Sequence, residues 1–137
     1  MAAEKIFIVE DDPDMVEALR LPLEATGYGV FHAGTAREGL ERIVEVAPDL
    51  IILDVMMESD TAGFQMAYSL RHPPSGAPFA PFSRVPIMML TAIGSEKHMT
   101  FSPETDGDFL PVDAYLEKPI RPDVLLQRVE ELLKKSR

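Results

Sequence analysis

The chain has 137 residues, no cysteine and a formal net charge of −10. That length suits one domain, read as 1–137, able to bury its own core. The lack of cysteine excludes a disulfide framework or a thiolate metal centre, and the acidic balance argues against non-specific binding to nucleic acid or anionic membranes. No apolar stretch approaches the roughly 20 residues that span a bilayer. Residues 1–5 lack the apolar region of a signal peptide, and the lack of cysteine fits a reducing cytoplasm.

The elements alternate along the chain. Ile6-Phe7-Ile8-Val9 reads as a first strand and runs into Glu10-Asp11-Asp12. Pro13 suits a first helical turn, and Met15, Val16, Leu19 and Leu23 mark one face of the helix that follows. Pro22 should kink that helix near its end, and Gly27 supplies a stop. Residues 29–33 read as a second strand. Thr35 and Glu38 predict a capping box, followed by Leu40, Ile43, Val44 and Ala47 at helical spacing, with Pro48 ending the helix. Leu50-Ile51-Ile52-Leu53 has no polar face and reads as a strand buried on both sides, ending at Asp54. A short helix is expected over 63–71. Ile87-Met88-Met89-Leu90, ending at Thr91, is the fourth strand, and 114–117 is the fifth, delivering Lys118-Pro119. The last helix opens at Pro122 with Leu125, Leu126, Val129, Leu132 and Leu133 as its buried stripe. Lys134 and Lys135 complement its C-terminal dipole.

Five strands and four helices in β-α-β-α order predict a doubly wound α/β fold, with a parallel sheet covered on both faces. The strand order 2-1-3-4-5 would set strands 1 and 3 side by side at a switch point, where open α/β sheets place their chemistry at the strands' carboxyl ends. Asp11, Asp12, Asp54, Thr91 and Lys118 would meet on that rim. Carboxylates, a hydroxyl and an ammonium so arranged can hold a divalent cation and a phosphoryl group. Each also has a plainer reading. Asp11 or Asp12 could cap the first helix, Thr91 the next, and Lys118 could be a surface charge.

Taken together, Glu10-Asp11-Asp12, Asp54, Thr91-Ala92, Tyr115 and Lys118-Pro119 resemble the signature of receiver domains in bacterial two-component response regulators. The resemblance runs from Lys5 to about Lys134. It implies a flavodoxin-like, CheY-like fold and a phosphoacceptor role for Asp54, whose carboxylate would attack phosphorus to form an acyl phosphate. It implies Mg²⁺ ligated directly by Asp12 and Asp54, by Asp11 through water, and by the Met56 backbone carbonyl. Mg²⁺ favours such an oxygen set and lets crowded carboxylates stay ionised. Thr91 and Lys118 would contact the phosphoryl oxygens, and Lys118-Pro119 would be a cis peptide. Thr91 and Tyr115 would form the conformational switch. The implied partners are a sensor histidine kinase or histidine phosphotransfer protein and a downstream protein, without direct nucleic-acid contact or membrane insertion. The chain reads as a stand-alone receiver and not as an enzyme with turnover. Apolar Met56 and Ile93 cannot orient water, which implies a long-lived phosphoryl group.

The sequence departs from this pattern in three places. Glu58 stands where the family usually has Pro, with one extra residue before Gly63. Residues 72–86 form a Pro-rich insertion, expected as an extended or disordered loop on the rim opposite Asp54, with Phe79 and Phe82 either docking a partner or folding back. Between Ala92 and Asp113 Pro103 stops a short turn over 95–101, and 104–108 is acidic, so the helix before the last strand should be atypical or missing.

Two other classes also place an Asp or a phosphate near such a sheet. A haloacid dehalogenase-type hydrolase would carry a second Asp where Met56 stands. A flavin carrier needs a phosphate loop that Glu10-Asp11-Asp12-Pro13 would repel. The alternative within the family is a degenerate receiver, a phosphorylation-independent interaction module.

Overall fold

Short runs with no polar face build the centre of the molecule. The computed structural model describes residues 3–55, 57, 62–91 and 112–136. Within them come β1 (Lys5–Val9), α1 (Pro13–Thr26), β2 (Gly29–Ala33), α2 (Ala36–Val46), β3 (Leu50–Asp54), α3 (Ala62–Arg71), a 3-10 turn (Ala80–Phe82), β4 (Ile87–Thr91), β5 (Ala114–Glu117) and α4 (Pro122–Ser136). The strands pair in parallel in the order β2-β1-β3-β4-β5. This is the doubly wound order expected from the sequence. Met56, Glu58, Ala92, Ile93, the turn over 95–101, the acidic loop 104–108 and the question of an atypical helix before β5 lie outside the described residues.

Strand alternation sorts the interior into two cores. Ile6, Ile8, Leu50, Ile52, Met88, Leu90, Ala114 and Leu116 face α1 and α4. Phe7, Val9, Ile51, Leu53, Ile87 and Met89 face α2 and α3. Leu50, Ile51, Ile52 and Leu53 are fully buried; each such side chain contributes about 1.5–3 kcal/mol.

Local signals set the helix ends. Asp12 caps α1, its side chain accepting the Asp14 N–H at 3.0 Å. The helix passes through Pro22 to Thr26 and closes at Gly27, whose φ of 107° is a left-handed conformation that glycine adopts freely. Thr35 caps α2 by accepting the Glu38 N–H at 3.0 Å. Glu38 Oε1 reaches back to accept the Gly34 N–H at 2.7 Å. Two apolar positions expected on the α2 core face lie elsewhere. Val44 is 46% exposed, and Ala47 is the C-cap with φ 50° and ψ 61°. Val46 takes the buried place. Pro48 disfavours the helical conformation at Ala47, so α2 ends a residue short of the periodic pattern.

The insertion after α3 is ordered in turns, and not extended or disordered as expected. Phe79, Phe82 and Val85 pack against the α2/α3 core. Arg71 ties the insertion down, donating to Ser83 O at 3.0 Å, Val85 O at 2.7 Å and Asp113 Oδ2 at 2.8 Å. Burial pulls the Arg71 pKa below its ordinary value, and the Asp113 carboxylate opposes that shift. Asp113 also accepts the Ile87 N–H at 2.8 Å, linking the starts of β4 and β5.

Candidate functional site

The carboxyl edge of the sheet gathers charge because the strand alternation continues past the apolar runs. Glu10 follows Ile6 and Ile8, Asp54 follows Leu50 and Ile52, and Lys118 follows Ala114 and Leu116 in the same two-residue count. The ladder holds this register, with the Glu10 N–H donating to Ala33 O at 3.0 Å. Side chains that begin as one core column therefore end as one polar cluster.

Lys118 Nζ lies 3.4 Å from Asp54 Oδ1 and 3.4 Å from Glu10 Oε1. Glu10 is fully buried and Asp54 is 5% exposed. Carboxylate oxygens of Glu10, Asp11 and Asp54 lie within 4.8 Å of one another, with Asp11 open to solvent. Three carboxylates against one ammonium leave two formal negative charges when all are ionised. Glu10 Oε1 is buried and makes no hydrogen bond, although the Lys118 ammonium stands at ion-pair distance. A hard dication suits such a donor set, since it takes oxygen ligands and balances the charge.

Burial first, and then the adjoining Asp54 carboxylate, push the Glu10 carboxyl up to about 8. The Lys118 ammonium and the Asp12 N–H, which donates to Glu10 Oε2 at 3.2 Å, oppose that shift. Burial alone would lower the pKa of Lys118, but the charges of Asp54 and Glu10 outweigh it and hold the ammonium above its ordinary value.

Thr91 ends β4, buried at 6% exposure, one residue beyond the Asp54–Leu90 register pair. Its carbonyl accepts the Lys118 N–H at 2.7 Å. The Lys118-Pro119 peptide is cis. Tyr115 pairs in register with Met89 and packs, half-buried, against the α2/α3 core. Asp11 and Asp54 thus join the cluster. Asp12 is not among the three clustered carboxylates, and one oxygen of its side chain caps α1. Glu10, which the sequence reading left without a role, stands in the cluster instead. Met56 lies outside the described residues.

The family model described as the response regulator receiver domain matches residues 6–130. The chain belongs to this family. The receiver is 32% identical over 132 residues to the DNA-binding dual master transcriptional regulator RpaA of Synechocystis, covering 96% of this chain and 50% of that protein. It therefore spans about half the length of the curated relatives it matches. A crystal structure from Chloroflexus aurantiacus has a TM-score of 0.80 at 30% identity, covering 96% of this chain and 98% of that one. The chemotaxis protein CheY4 of Vibrio cholerae has a TM-score of 0.75 at 28% identity, covering 96% and 99%. Receiver domains are signalling modules of two-component systems, not turnover enzymes. Among the described residues no helix is long and apolar enough to cross a membrane.

Proposed function

We propose that this receiver accepts a phosphoryl group from a phosphohistidine donor onto Asp54, with Mg²⁺ as cofactor, and signals through protein contacts. The observation that carries the reading is the meeting of Asp54 with Lys118 at 3.4 Å inside a cation-sized cluster with Glu10 and Asp11. An Asp54 carboxylate oxygen attacks phosphorus, the P–N bond breaks with its electron pair left on the donor imidazole, and an acyl phosphate forms. Lys118 neutralises charge on the transferring group, and the Thr91 hydroxyl donates to one of its oxygens. Glu10, Asp11 and Asp54 would hold Mg²⁺, with the Met56 carbonyl as a further donor. The bound ion supplies charge neutralisation for the phosphoryl oxygens and the carboxylates.

The donor is a sensor histidine kinase or a histidine phosphotransfer protein, and the readout is a downstream protein. Movement of Thr91 toward the phosphoryl group would free space for Tyr115 on the α2/α3 side of the sheet, coupling the rim to the surface beside β5. Borohydride trapping tests the chemistry, because it reduces an acyl phosphate to an alcohol. After acetyl phosphate and Mg²⁺, peptide mapping should find homoserine at position 54. An unmodified Asp54 in protein that demonstrably binds Mg²⁺ would favour an interaction module that works without phosphorylation.

A further inference from the structure

Gly63, in the first turn of α3, lies against the strand end that carries Asp54. A Cβ at Gly63 would overlap the Asp54 carbonyl oxygen and lie 2.8 Å from Val55 Cα and 2.9 Å from the Asp54 carbonyl carbon. These are backbone atoms, which cannot rotate aside. The Gly63 N–H donates to Val55 O at 2.9 Å, and the Val55 N–H donates to Leu90 O at 3.1 Å. Val55, which follows Asp54, is thereby gripped between α3 and β4. Gly39 offers a contrast. A Cβ there would meet Met66 Cε at 2.9 Å and Sδ at 3.1 Å, the end of a flexible side chain.

We infer that Gly63 is a positioning residue for Asp54: its bare Cα lets α3 hold the Asp54–Val55 peptide where the carboxylate meets Glu10, Asp11 and Lys118. The inference rests on the phosphoacceptor reading of Asp54. Any side chain at 63 must part α3 from the strand end, and that displacement falls on the reacting carboxylate. Gly63 touches no reacting atom and acts only through the backbone it abuts.

The test compares Gly63→Ala with Leu70→Ala, which opens a cavity under the same helix at a fully buried position. Both are assayed at a temperature where circular dichroism shows each folded. Gly63→Ala should slow acyl phosphate formation from acetyl phosphate about ten- to hundredfold and weaken Mg²⁺ binding. Leu70→Ala should lower the melting temperature while leaving both properties near wild type. Equal rates and equal Mg²⁺ affinities in the two variants would overturn the inference. If wild type takes no phosphoryl group, the phosphoacceptor reading fails, and the Mg²⁺ comparison still decides the positioning role. Should Gly63→Ala not fold, amide exchange on wild type decides it. The Gly63 N–H should be as protected as the amides of β3, and exchange at the rate of an exposed loop would contradict the grip.

Discussion

Burial beside Asp54 makes ionising Glu10 costly in the folded chain. Its folded pKa is raised from 4.5 to about 8, so the folded chain holds a proton there that the unfolded chain releases. Without metal, the stability contributed by this group is complete below pH 4.5 and is lost as pH rises towards about 8. Thermal unfolding in chelator should show a melting temperature that declines across that window and a flatter profile in Glu10→Gln. Identical slopes would contradict the account. Mg²⁺ should reduce the wild-type decline, because a dication favours the ionised carboxylate. The division of labour between neighbouring aspartates is equally testable. Asp12→Ala should cost about 1 kcal/mol through the lost cap of α1 and leave Mg²⁺ affinity near wild type. Asp11→Ala should leave stability nearly unchanged and weaken Mg²⁺ about tenfold or more; calorimetric titration of both variants distinguishes them. Asp54, Thr91 and Lys118 stand out in the sequence because each follows a strand-like run. Sequence reasoning gave Asp12 a direct metal contact and left Glu10 without a role, because three consecutive acids give no local reason to choose among them. Counting by twos from Ile6 and Ile8 would have selected Glu10.

At the scale of elements, two joints carry measurable consequences. Ala47 holds a left-handed conformation at the end of α2, with φ 50°. An L-residue pays about 1–2 kcal/mol there, while glycine pays about 0.5–1 kcal/mol in lost chain entropy. Ala47→Gly should therefore stabilise the fold by about 0.5–1 kcal/mol, read as a higher urea midpoint at unchanged slope. Arg71 is the other joint. Arg71→Met removes donors from Ser83 O, Val85 O and Asp113, and should cost about 1–3 kcal/mol in the same assay. The strands and helix order were legible because apolar runs and helical stripes are local patterns. The capture of the 72–86 insertion was not, since it depends on Arg71 meeting carbonyls 12 and 14 residues away and a carboxylate 42 residues away. A count of prolines gives no hint of those partners.

Across the whole molecule, the doubly wound order brings distant residues to one edge: β1 and β3 are neighbours, β4 and β5 complete the row, and Lys118 meets Asp54 across 64 positions of sequence. The two cores divide the work. The α1/α4 core continues into Glu10, Asp54 and Lys118, whereas Tyr115 packs on the α2/α3 side, to which the switch is assigned. Everything proposed for this edge depends on Asp54 taking a phosphoryl group. Intact mass after incubation with acetyl phosphate tests it most directly, with and without Mg²⁺ and beside Asp54→Asn. Wild type with Mg²⁺ should gain one phosphoryl group, with no gain without the ion or in Asp54→Asn. A gain that persists in Asp54→Asn, or no gain in protein shown to bind Mg²⁺, would contradict it.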